Sequence, residues 1–340
     1  MFGSKIIRNS YDSIKDKIKL YYNYIKNFPS WYREKIFTSI NYFVDVKYRV
    51  THLKETNFNL GIEHLYKNNL NDAILRLKLV DKILSPNDHQ ANYWLGWTYF
   101  LKNNYEKALY HLQRAFEADQ IKLASFLQNY NNLSEIPPQI WHQYKNLTAE
   151  YYGNKFRSNN KLYLPYSFVS TTMNNITDLP DHYHILELGS NIGLVGYEVK
   201  KRFPDGFTFT GIENSEIMNK LVIIYGNIYD QLLEISISDF IKHDSNKYDV
   251  VLSFNSLSFT KNLLDYFNSI YSIVNTLGYF AFCLPIDNVT NLSLKRKGFV
   301  FTIADIKKAL GQTKFTILNS EELSLEKNDK YYMVICKKNH

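Results

Sequence analysis

A glycine-containing turn followed by an acidic residue is the feature of this sequence best suited to bind a ligand. Gly189 and Gly193 bracket the turn Gly-Ser-Asn-Ile-Gly, which lies between an apolar run and a predicted helix. Glycines let the backbone come close to a ligand, and the amino end of the following helix attracts an anionic group. Glu213 lies about 20 residues beyond the turn, where the acid of dinucleotide-binding folds accepts hydrogen bonds from ribose hydroxyls.

The elements that would position these residues alternate between short strands and helices. This alternation begins at residue 183 and is typical of a mainly parallel sheet. The predicted strands cover 184–188, 208–212, 233–237, 249–254, 279–284, 315–318 and 331–337. The last two face one another across the acidic segment SEELSLEKND, which predicts a hairpin and an antiparallel final strand. Since adjacent strands lie about 4.8 Å apart, the Glu213 carboxylate should lie within about 12 Å of the turn.

The motifs on these elements resemble those of a known family. They are ILELGSNIGLVG on the first strand, an acid ending the second, and then IYDQLLEISISDF and KYDVVLSFNSL. Together they resemble the class I S-adenosylmethionine-dependent methyltransferases and, more narrowly, predicted methyltransferases that carry tetratricopeptide (TPR) repeats. The resemblance covers about residues 183–338. It implies an α/β fold with a Rossmann-like, seven-stranded sheet and S-adenosyl-L-methionine as the cofactor.

The resemblance also implies which residues bind that cofactor. Glu213 would bind the ribose, and Asp239, with Ser238 beside it, the adenine amino group. Glu187 would orient the turn or reach the methionine ammonium, and Asn255 ends the fourth strand, where ligands of parallel sheets collect. The full predicted set is Glu187, Gly189, Ser190, Asn191, Gly193, Glu213, Asn214, Ser238, Asp239 and Asn255.

Several of these residues have an ordinary structural alternative. Glu213 could be a solvated acid at a strand end, Asp239 a helix cap before FIKHD, and Asn255 a turn residue. Asn191 replaces the usual middle glycine of the turn, and asparagine tolerates a left-handed backbone better than most residues. A Rossmann oxidoreductase is disfavoured because G-x-G-x-x-G is missing and the chain ends in a predicted hairpin.

The sequence predicts no catalytic residue. Methyl transfer needs a nucleophile in line with the methyl group, and a base only when that nucleophile carries a proton. FNSL stands where amino-group methylases of DNA and glutamine carry an Asn/Asp-Pro-Pro-Tyr/Phe motif, so its lack of prolines argues against those substrates. Tyr151 and Tyr152, in the helix before the sheet, are candidates to cover the cofactor. The methyl acceptor stays open among a small molecule, a glycan and a protein.

An internal repeat precedes the sheet. Its members are Leu60-Gly61, Ala73 and Leu77, then Leu95-Gly96, Ala108 and Leu112, at a constant offset of 35 residues. The pattern resembles the TPR, whose period is about 34. Residues 57–119 are predicted to form two antiparallel helix pairs, with Gly61 against Ala73 and Gly96 against Ala108. Because about three repeats are usually needed for stability, residues 1–50 and 120–180 should cover the two ends.

The positive charge of the chain lies at its N-terminal end. The net charge is +7; residues 1–54 contain 11 Lys/Arg and 4 Asp/Glu, whereas residues 55–340 contain 29 of each. The larger part therefore offers no electrostatic case for binding nucleic acid. An apolar stripe on a predicted helix comprises Ile7, Tyr11, Ile14, Ile18, Tyr21 and Ile25. The stripe would pack on the repeats, contact an anionic membrane surface, or self-associate.

The sequence divides into four predicted parts. These are basic amphipathic helices at 1–54, TPR-like repeats at 55–120, a linker with cap helices at 121–180, and a methyltransferase domain at 181–340.

No apolar run reaches the ~18–20 residues that span a bilayer, and the first residues lack the core of a signal peptide. Cys283 and Cys336 have no ligand-like spacing, which argues against a metal site or disulfide framework. The predicted location is the cytoplasm, with peripheral membrane contact as an alternative.

Two functions of different classes are consistent with these features. The first is an active S-adenosylmethionine-dependent methyltransferase whose TPR module recruits a substrate or protein partner. The second is a non-catalytic TPR scaffold that retains the methyltransferase fold for binding. The acids Glu213 and Asp239 and the flanking glycines favour the first function. Asn191 and the lack of a recognisable base keep the second open.

Overall fold

A computed structural model of the chain describes residues 34, 35, 38, 39, 42, 49, 51–158, 163–224, 226–324 and 330–339. The chain divides into two compact units, Met1–Asn59 and Leu60–His340. In the first unit, the described residues between 34 and 49 are helical and exposed. The apolar stripe predicted between residues 7 and 25 lies outside the described residues, and so does most of the segment expected to cover the repeats.

Two helix pairs come first in the continuously described part of the chain. Their bounds are α1 Leu53–Tyr66 and α2 Leu70–Leu79, then α3 His89–Leu101 and α4 Tyr105–Ala115. A π-helical turn, Val80–Leu84, extends α2. Short polar connections join the members of each pair, as expected for antiparallel neighbours. The Asp88 side chain caps α3 by accepting from Ala91 N, and the Asn104 side chain caps α4 by accepting from Lys107 N.

The repeated glycines lie where the paired helices cross, but leucines oppose them. A Cβ on Gly61 would lie 2.8 Å from Leu77 Cγ, and one on Gly96 would lie 2.5 Å from Leu112 Cγ. Ala73, the predicted neighbour of Gly61, is not among the atoms nearest to it, whereas Gly96 does meet Ala108, whose carbonyl oxygen lies 3.4 Å from the Cβ position. Side chains lean toward the amino end of their helix, so a leucine one turn further on covers that space.

Three more helices lead to the sheet. They are α5 Leu123–Asn129, α6 Pro138–Ser158 and α7 Tyr163–Asn175. Phe126 of α5 packs edge-on against Phe100 of α3, with ring centroids 6.4 Å apart. Within the described ranges, no helix combines the length and the apolar character that crossing a membrane requires.

The second half of the chain forms a mainly parallel sheet of seven strands. Its strands are β1 Tyr183–Leu188, β2 Phe207–Ile212, β3 Gln231–Leu233, β4 Tyr248–Phe254, β5 Val274–Pro285, β8 Phe315–Ser324 and β9 Lys330–Lys338. They lie in the order β3-β2-β1-β4-β5-β9-β8. β9 pairs antiparallel with both β5 and β8. The predicted α/β sheet and its antiparallel final hairpin are thus confirmed.

Helices between the strands cover the sheet. They are α8 Leu194–Arg202, α9 Glu216–Ile224, α10 Ile237–His243, α11 Leu263–Ile273 and α12 Ile303–Gly311. The central strands are largely buried. In β1, for example, His184 is the one exposed residue. Phe168 of α7 and Val199 of α8 pack with Ile185 and Val250 in one core cluster. Burial on both faces explains why these strands read as continuous apolar runs in the sequence.

The observed strands differ from the prediction in four places. β5 begins at Val274 instead of 279. β3 ends at Leu233 instead of 237, because Ser236 caps α10 by accepting a hydrogen bond from Asp239 N. β8 extends to Ser324, so half of the predicted acidic loop is strand. A small unpredicted hairpin follows β5, formed by β6 Asn291–Ser293 and β7 Gly298–Val300.

Candidate functional site

The glycine turn connects β1 to α8 through three residues with a left-handed backbone. The φ angles of Gly189, Asn191 and Gly193 are 74°, 49° and 80°. A Cβ on Gly189 would lie 2.4 Å from Ser256 Oγ, so a larger residue would clash there. Asn191 takes the left-handed conformation expected of it, and its Nδ2 donates to the Gly189 carbonyl at 2.7 Å. Asparagine thus fits the place of the usual middle glycine.

Glu213 lies directly beside this turn. Leu188 pairs with Ile212 in the parallel register, so the residues that follow both strands reach the same edge of the sheet. The Glu213 carboxylate is buried and accepts hydrogen bonds from Asn191 N at 3.1 Å and Ser215 N at 2.9 Å. The first of these distances agrees with the close approach predicted from the spacing.

A lysine that sequence reasoning missed completes the surroundings of Glu213. Lys145 of α6 donates to Glu213 Oε2 and forms an ion pair with it, and the two side chains are 8% and 0% exposed. Trp141, Lys145 and Ala149 are spaced four residues apart, so they share one helix face. Ala149 packs against Ile192 of the turn. The available signal was a lysine on an otherwise apolar face of a predicted helix.

A cavity of about 460 Å³ opens at this edge of the sheet. Its volume lies in the range typical of small-molecule sites. Five of the predicted site residues line it: Gly189, Glu213, Asn214, Ser238 and Asp239. The other five do not: Glu187, Ser190, Asn191, Gly193 and Asn255. The structure therefore brings half of the predicted set to one cavity and places much of the rest in the turn that supports it.

Aromatic and aliphatic side chains form much of the cavity wall. Trp141 of α6 lies 6.2 Å from Phe259, and Phe259 lies 5.3 Å from Tyr266, measured between ring centroids. Isoleucines also contribute: Ile212, Ile235, Ile237 and Ile241. Tyr151 and Tyr152, the predicted covering residues, are more than a third exposed and do not line the cavity. Trp141, two to three turns earlier in the same helix, takes that place.

Ser238 and Asp239 belong both to a helix start and to the cavity. Ser236 Oγ caps α10 by accepting from Asp239 N at 3.0 Å, and it donates to Asp239 Oδ2 at 2.6 Å. Ser238 Oγ lies 2.6 Å from the Tyr266 hydroxyl. The helix-cap alternative for Asp239 is therefore wrong, because Ser236 is the N-cap and Asp239 lies in the first turn of α10; Asp239 also lines the cavity.

Glu187 and Asn255 lie near the cavity but outside its lining. Tyr229 donates its hydroxyl hydrogen to Glu187 Oε2 at 2.7 Å. Burial raises the pKa of Glu187 to about 8, and the nearby Glu213 charge adds to the increase. This placement favours a role in orienting the turn. Asn255 has a φ of 55°, as turn residues often do, and its backbone N–H donates to Cys283 O of β5, which continues the β4–β5 pairing; the next residue, Ser256, lines the cavity.

The cavity carries more negative than positive side chains. Of the described residues, its lining includes the acidic residues Glu135, Glu213, Asp239 and Asp265 and the basic residues Lys145 and Lys242. Such an excess favours a ligand with a positive group. Glu135 is fixed by hydrogen bonds from Thr260 Oγ1 at 3.1 Å and Tyr266 OH at 3.3 Å.

A second, more open cavity of about 530 Å³ lies beside the first. Asn262 lines both cavities. Its other walls come from the segment after β5 and from α12, and its polar lining includes Lys261, Asn288, Thr290, Thr302, Asp305, Lys308 and Gln312.

Comparison with known proteins yields similarity to solved structures. No protein-family model and no curated protein matches the chain. A magnesium protoporphyrin IX methyltransferase from Synechocystis PCC 6803 with bound S-adenosylhomocysteine is 14% identical, with 52% of this chain and 83% of that chain covered and a TM-score of 0.43. A Haemonchus contortus phosphoethanolamine N-methyltransferase is 12% identical, with 51% of this chain and 53% of that chain covered and a TM-score of 0.42. Geranyl diphosphate C-methyltransferase from Streptomyces coelicolor A3(2) is 8% identical, with 51% of this chain and 78% of that chain covered and a TM-score of 0.42.

Proposed function

We propose that this protein is a class I S-adenosylmethionine-dependent methyltransferase. The observation that carries the proposal is the place of Glu213. Its carboxylate is buried beside a left-handed glycine turn, and the residue lines a cavity at the carboxyl edge of a mainly parallel sheet. In such folds this edge is where nucleoside ligands bind and where an acid after the second strand meets the ribose. The seven-stranded sheet with its antiparallel β9 agrees with the family resemblance in the sequence.

The residues around the cavity fit such a cofactor. Glu213 would bind the ribose, and the aromatic and isoleucine walls suit a purine. Ser238 and Asp239 would bind the polar edge of the adenine, and the turn with the amino end of α8 would bind the carboxylate. The excess of carboxylates suits a cation. When bound, S-adenosylmethionine supplies an electrophilic methyl group on a sulfonium centre.

The second cavity is our proposed site for the methyl acceptor. It shares Asn262 with the first, so a ligand in one would be next to a ligand in the other. Its lysines, amides and hydroxyls suit a polar acceptor. The protein's part in transfer would be to hold the acceptor in line and exclude water, which lowers the barrier by positioning. A nucleophile without an ionisable proton would need no base.

The helical repeats would serve as a TPR module that recruits a substrate or a protein partner. They pack directly on the α/β domain, since Lys297 in the β6–β7 connection donates to Asn103 Oδ1 in the loop between α3 and α4. The domain bounds given above and a cytoplasmic location belong to the same proposal, with contact of residues 1–54 with a membrane surface as the alternative to their packing on the repeats.

A non-catalytic scaffold is the second candidate. The observation that favours it is that Glu213 already accepts three protein donors, from Asn191, Ser215 and Lys145. Calorimetry with S-adenosylmethionine, followed by transfer of a labelled methyl group to a panel of acceptors, separates the two. Binding with transfer supports the enzyme, and binding without transfer to any acceptor supports the scaffold. A chain that binds neither S-adenosylmethionine nor S-adenosylhomocysteine would contradict both.

A further inference from the structure

The ammonium group of Lys145 has hydrogen-bond donors to spare. It carries three N–H groups, and Glu213 Oε2 accepts one of them. Among the described residues, no second acceptor bonds to this ammonium, although Lys145 is only 6% exposed. Buried lysines are rare and are normally bonded. Lys145 also lines the first cavity, so a ligand there can accept hydrogen bonds from its remaining donors.

The Glu213 carboxylate has one acceptor position to spare. A carboxylate offers about four lone-pair sites. Oε2 accepts from Lys145 and Asn191 N, and Oε1 accepts from Ser215 N. One site on Oε1 is thus filled by no described protein donor, and because the side chain is 0% exposed, a ligand would reach it only after a movement of the side chains that cover it. Together the ion pair offers a ligand two N–H donors and one acceptor, which suits neighbouring hydroxyl groups because each can both accept and donate.

We propose that Lys145 and Glu213 together recognise the ribose diol of the cofactor, with Lys145 as a specificity-determining residue. The two hydroxyl oxygens accept from Lys145 Nζ, and one hydroxyl donates to Glu213 Oε1. This inference rests on the proposed function, since it concerns an adenosine cofactor in the same cavity. It differs from recognition by an acid alone, in which the carboxylate accepts from both hydroxyls.

The fold holds Lys145 in place for this role. Ala149, one turn further along α6, is buried against Ile192 and Met218. The neighbouring Asn146 accepts a hydrogen bond from Ser215 Oγ at 2.6 Å, which ties the same turn of α6 to the segment after β2. A donor held in position loses little conformational freedom when the ligand binds. The rival interpretation is that Lys145 only blocks Glu213 and must leave before a ribose can bind.

Binding measurements on the full chain separate the two interpretations. The probes are S-adenosylhomocysteine and its 2′-deoxy and 3′-deoxy forms, titrated by calorimetry into the wild type and Lys145→Met. We expect Lys145→Met to bind S-adenosylhomocysteine about 10- to 100-fold more weakly, the range for a lost hydrogen bond to a charged group. The loss caused by removing a hydroxyl should be smaller in the variant than in the wild type. Unchanged or tighter binding by Lys145→Met would overturn the inference and support the blocking role.

Two further variants keep the test decisive. Lys220→Met is the matched control, because Lys220 forms an exposed pair with Glu216 away from the cavity lining; it should bind all three probes like the wild type. If Lys145→Met does not fold, Lys145→Met/Glu213→Gln removes both charges together. A double variant that still prefers the ribose form as strongly as the wild type does would refute the inference. Failure of the proposed function is distinct, since the wild type would then not bind S-adenosylhomocysteine at all.

Discussion

Two lysines in the described part of the chain are almost completely buried, and their surroundings differ. Lys145, 6% exposed, meets the carboxylate of Glu213 beside the first cavity. Lys297, 7% exposed, lies where the β6–β7 hairpin packs on the helical repeats. Lys297 donates to the Asn103 side chain, to Leu294 O at 2.7 Å and to the Tyr105 hydroxyl at 3.2 Å, all of them neutral.

The difference between the two sites lies in the counter-charge. Lys297 also lies 4.6 Å from the Phe100 ring centroid and 5.2 Å from that of Tyr105. Rings and neutral acceptors only partly replace water around an ammonium. Burial therefore lowers the pKa of Lys297 to about 7. A lysine with a carboxylate is suited to hold a charge at a ligand site, whereas a lysine among neutral groups joins two parts of the fold and loses its proton readily.

The largest effect should come from breaking the charged pair. Lys145→Met leaves the buried Glu213 carboxylate without its cation, and we expect the free energy of unfolding to fall by about 3–5 kcal/mol. Lys145→Met/Glu213→Gln should recover most of this loss, because no unpaired charge is left. Urea denaturation of the two variants measures the difference. Equal losses in both would show that Lys145 contributes by packing and not by its charge.

Removing Lys297 should change the pH dependence of stability. Its folded pKa, about 7, is below the unfolded value of 10.5, so the unfolded chain binds more protons between these limits. The contribution of Lys297 to the free energy of unfolding is fully present above pH 10.5 and is lost as the pH falls toward 7. Relative to Lys297→Met, the wild type should gain about 3 kcal/mol between about pH 7.5 and 10. If the free energies of unfolding of the two proteins changed in parallel with pH, the lowered pKa of Lys297 would be contradicted.

Glu187 should show the opposite sign over a lower range. Its folded pKa, about 8, is above the unfolded value of 4.5, so the folded chain binds more protons between them. The contribution of Glu187 to the free energy of unfolding is fully present below pH 4.5 and is lost as the pH rises toward 8. Relative to Glu187→Gln, the wild type should lose about 2 kcal/mol between about pH 5 and 7. The check is denaturation at several pH values; a constant difference would mean that Glu187 is already ionised in the fold.

The smallest effect should come from an exposed pair. Lys220 and Glu216 are 67% and 60% exposed and one helix turn apart on α9. Water and salt screen such pairs. Lys220→Met should therefore leave the melting temperature unchanged within error. A marked decrease would mean that exposed charges also matter here and would weaken the contrast with Lys145.

Local sequence signals predicted most of the sheet and the turn. β1, β2 and β4 lie within one residue of their predicted starts because their apolar runs are bounded by polar residues. β3 was misplaced because the alternating run LLEISI resembles a strand. The competing signal was also present, since Ser236 and Asp239 have the spacing of a capping box.

Contacts between distant segments were harder to predict. Glu213 was identified because its spacing from the turn is local, whereas Lys145 comes from a helix 68 residues earlier in the chain. Periodicity shows that Trp141, Lys145 and Ala149 share a face, but not which strand end that face meets. Asn255 shows a similar limit: it was identified at the end of β4, yet its left-handed backbone leaves the lining of the cavity to Ser256.

Titration calorimetry of S-adenosylhomocysteine with the wild type and Glu213→Gln tests the central proposal most directly. Glutamine keeps the size of the side chain but removes the charge and one strong acceptor. We expect the wild type to bind one molecule per chain and Glu213→Gln to bind about 1.5–3 kcal/mol more weakly. Circular dichroism should show the same fold in both proteins. A wild type that does not bind, or a folded variant with unchanged affinity, would contradict a cofactor site at Glu213.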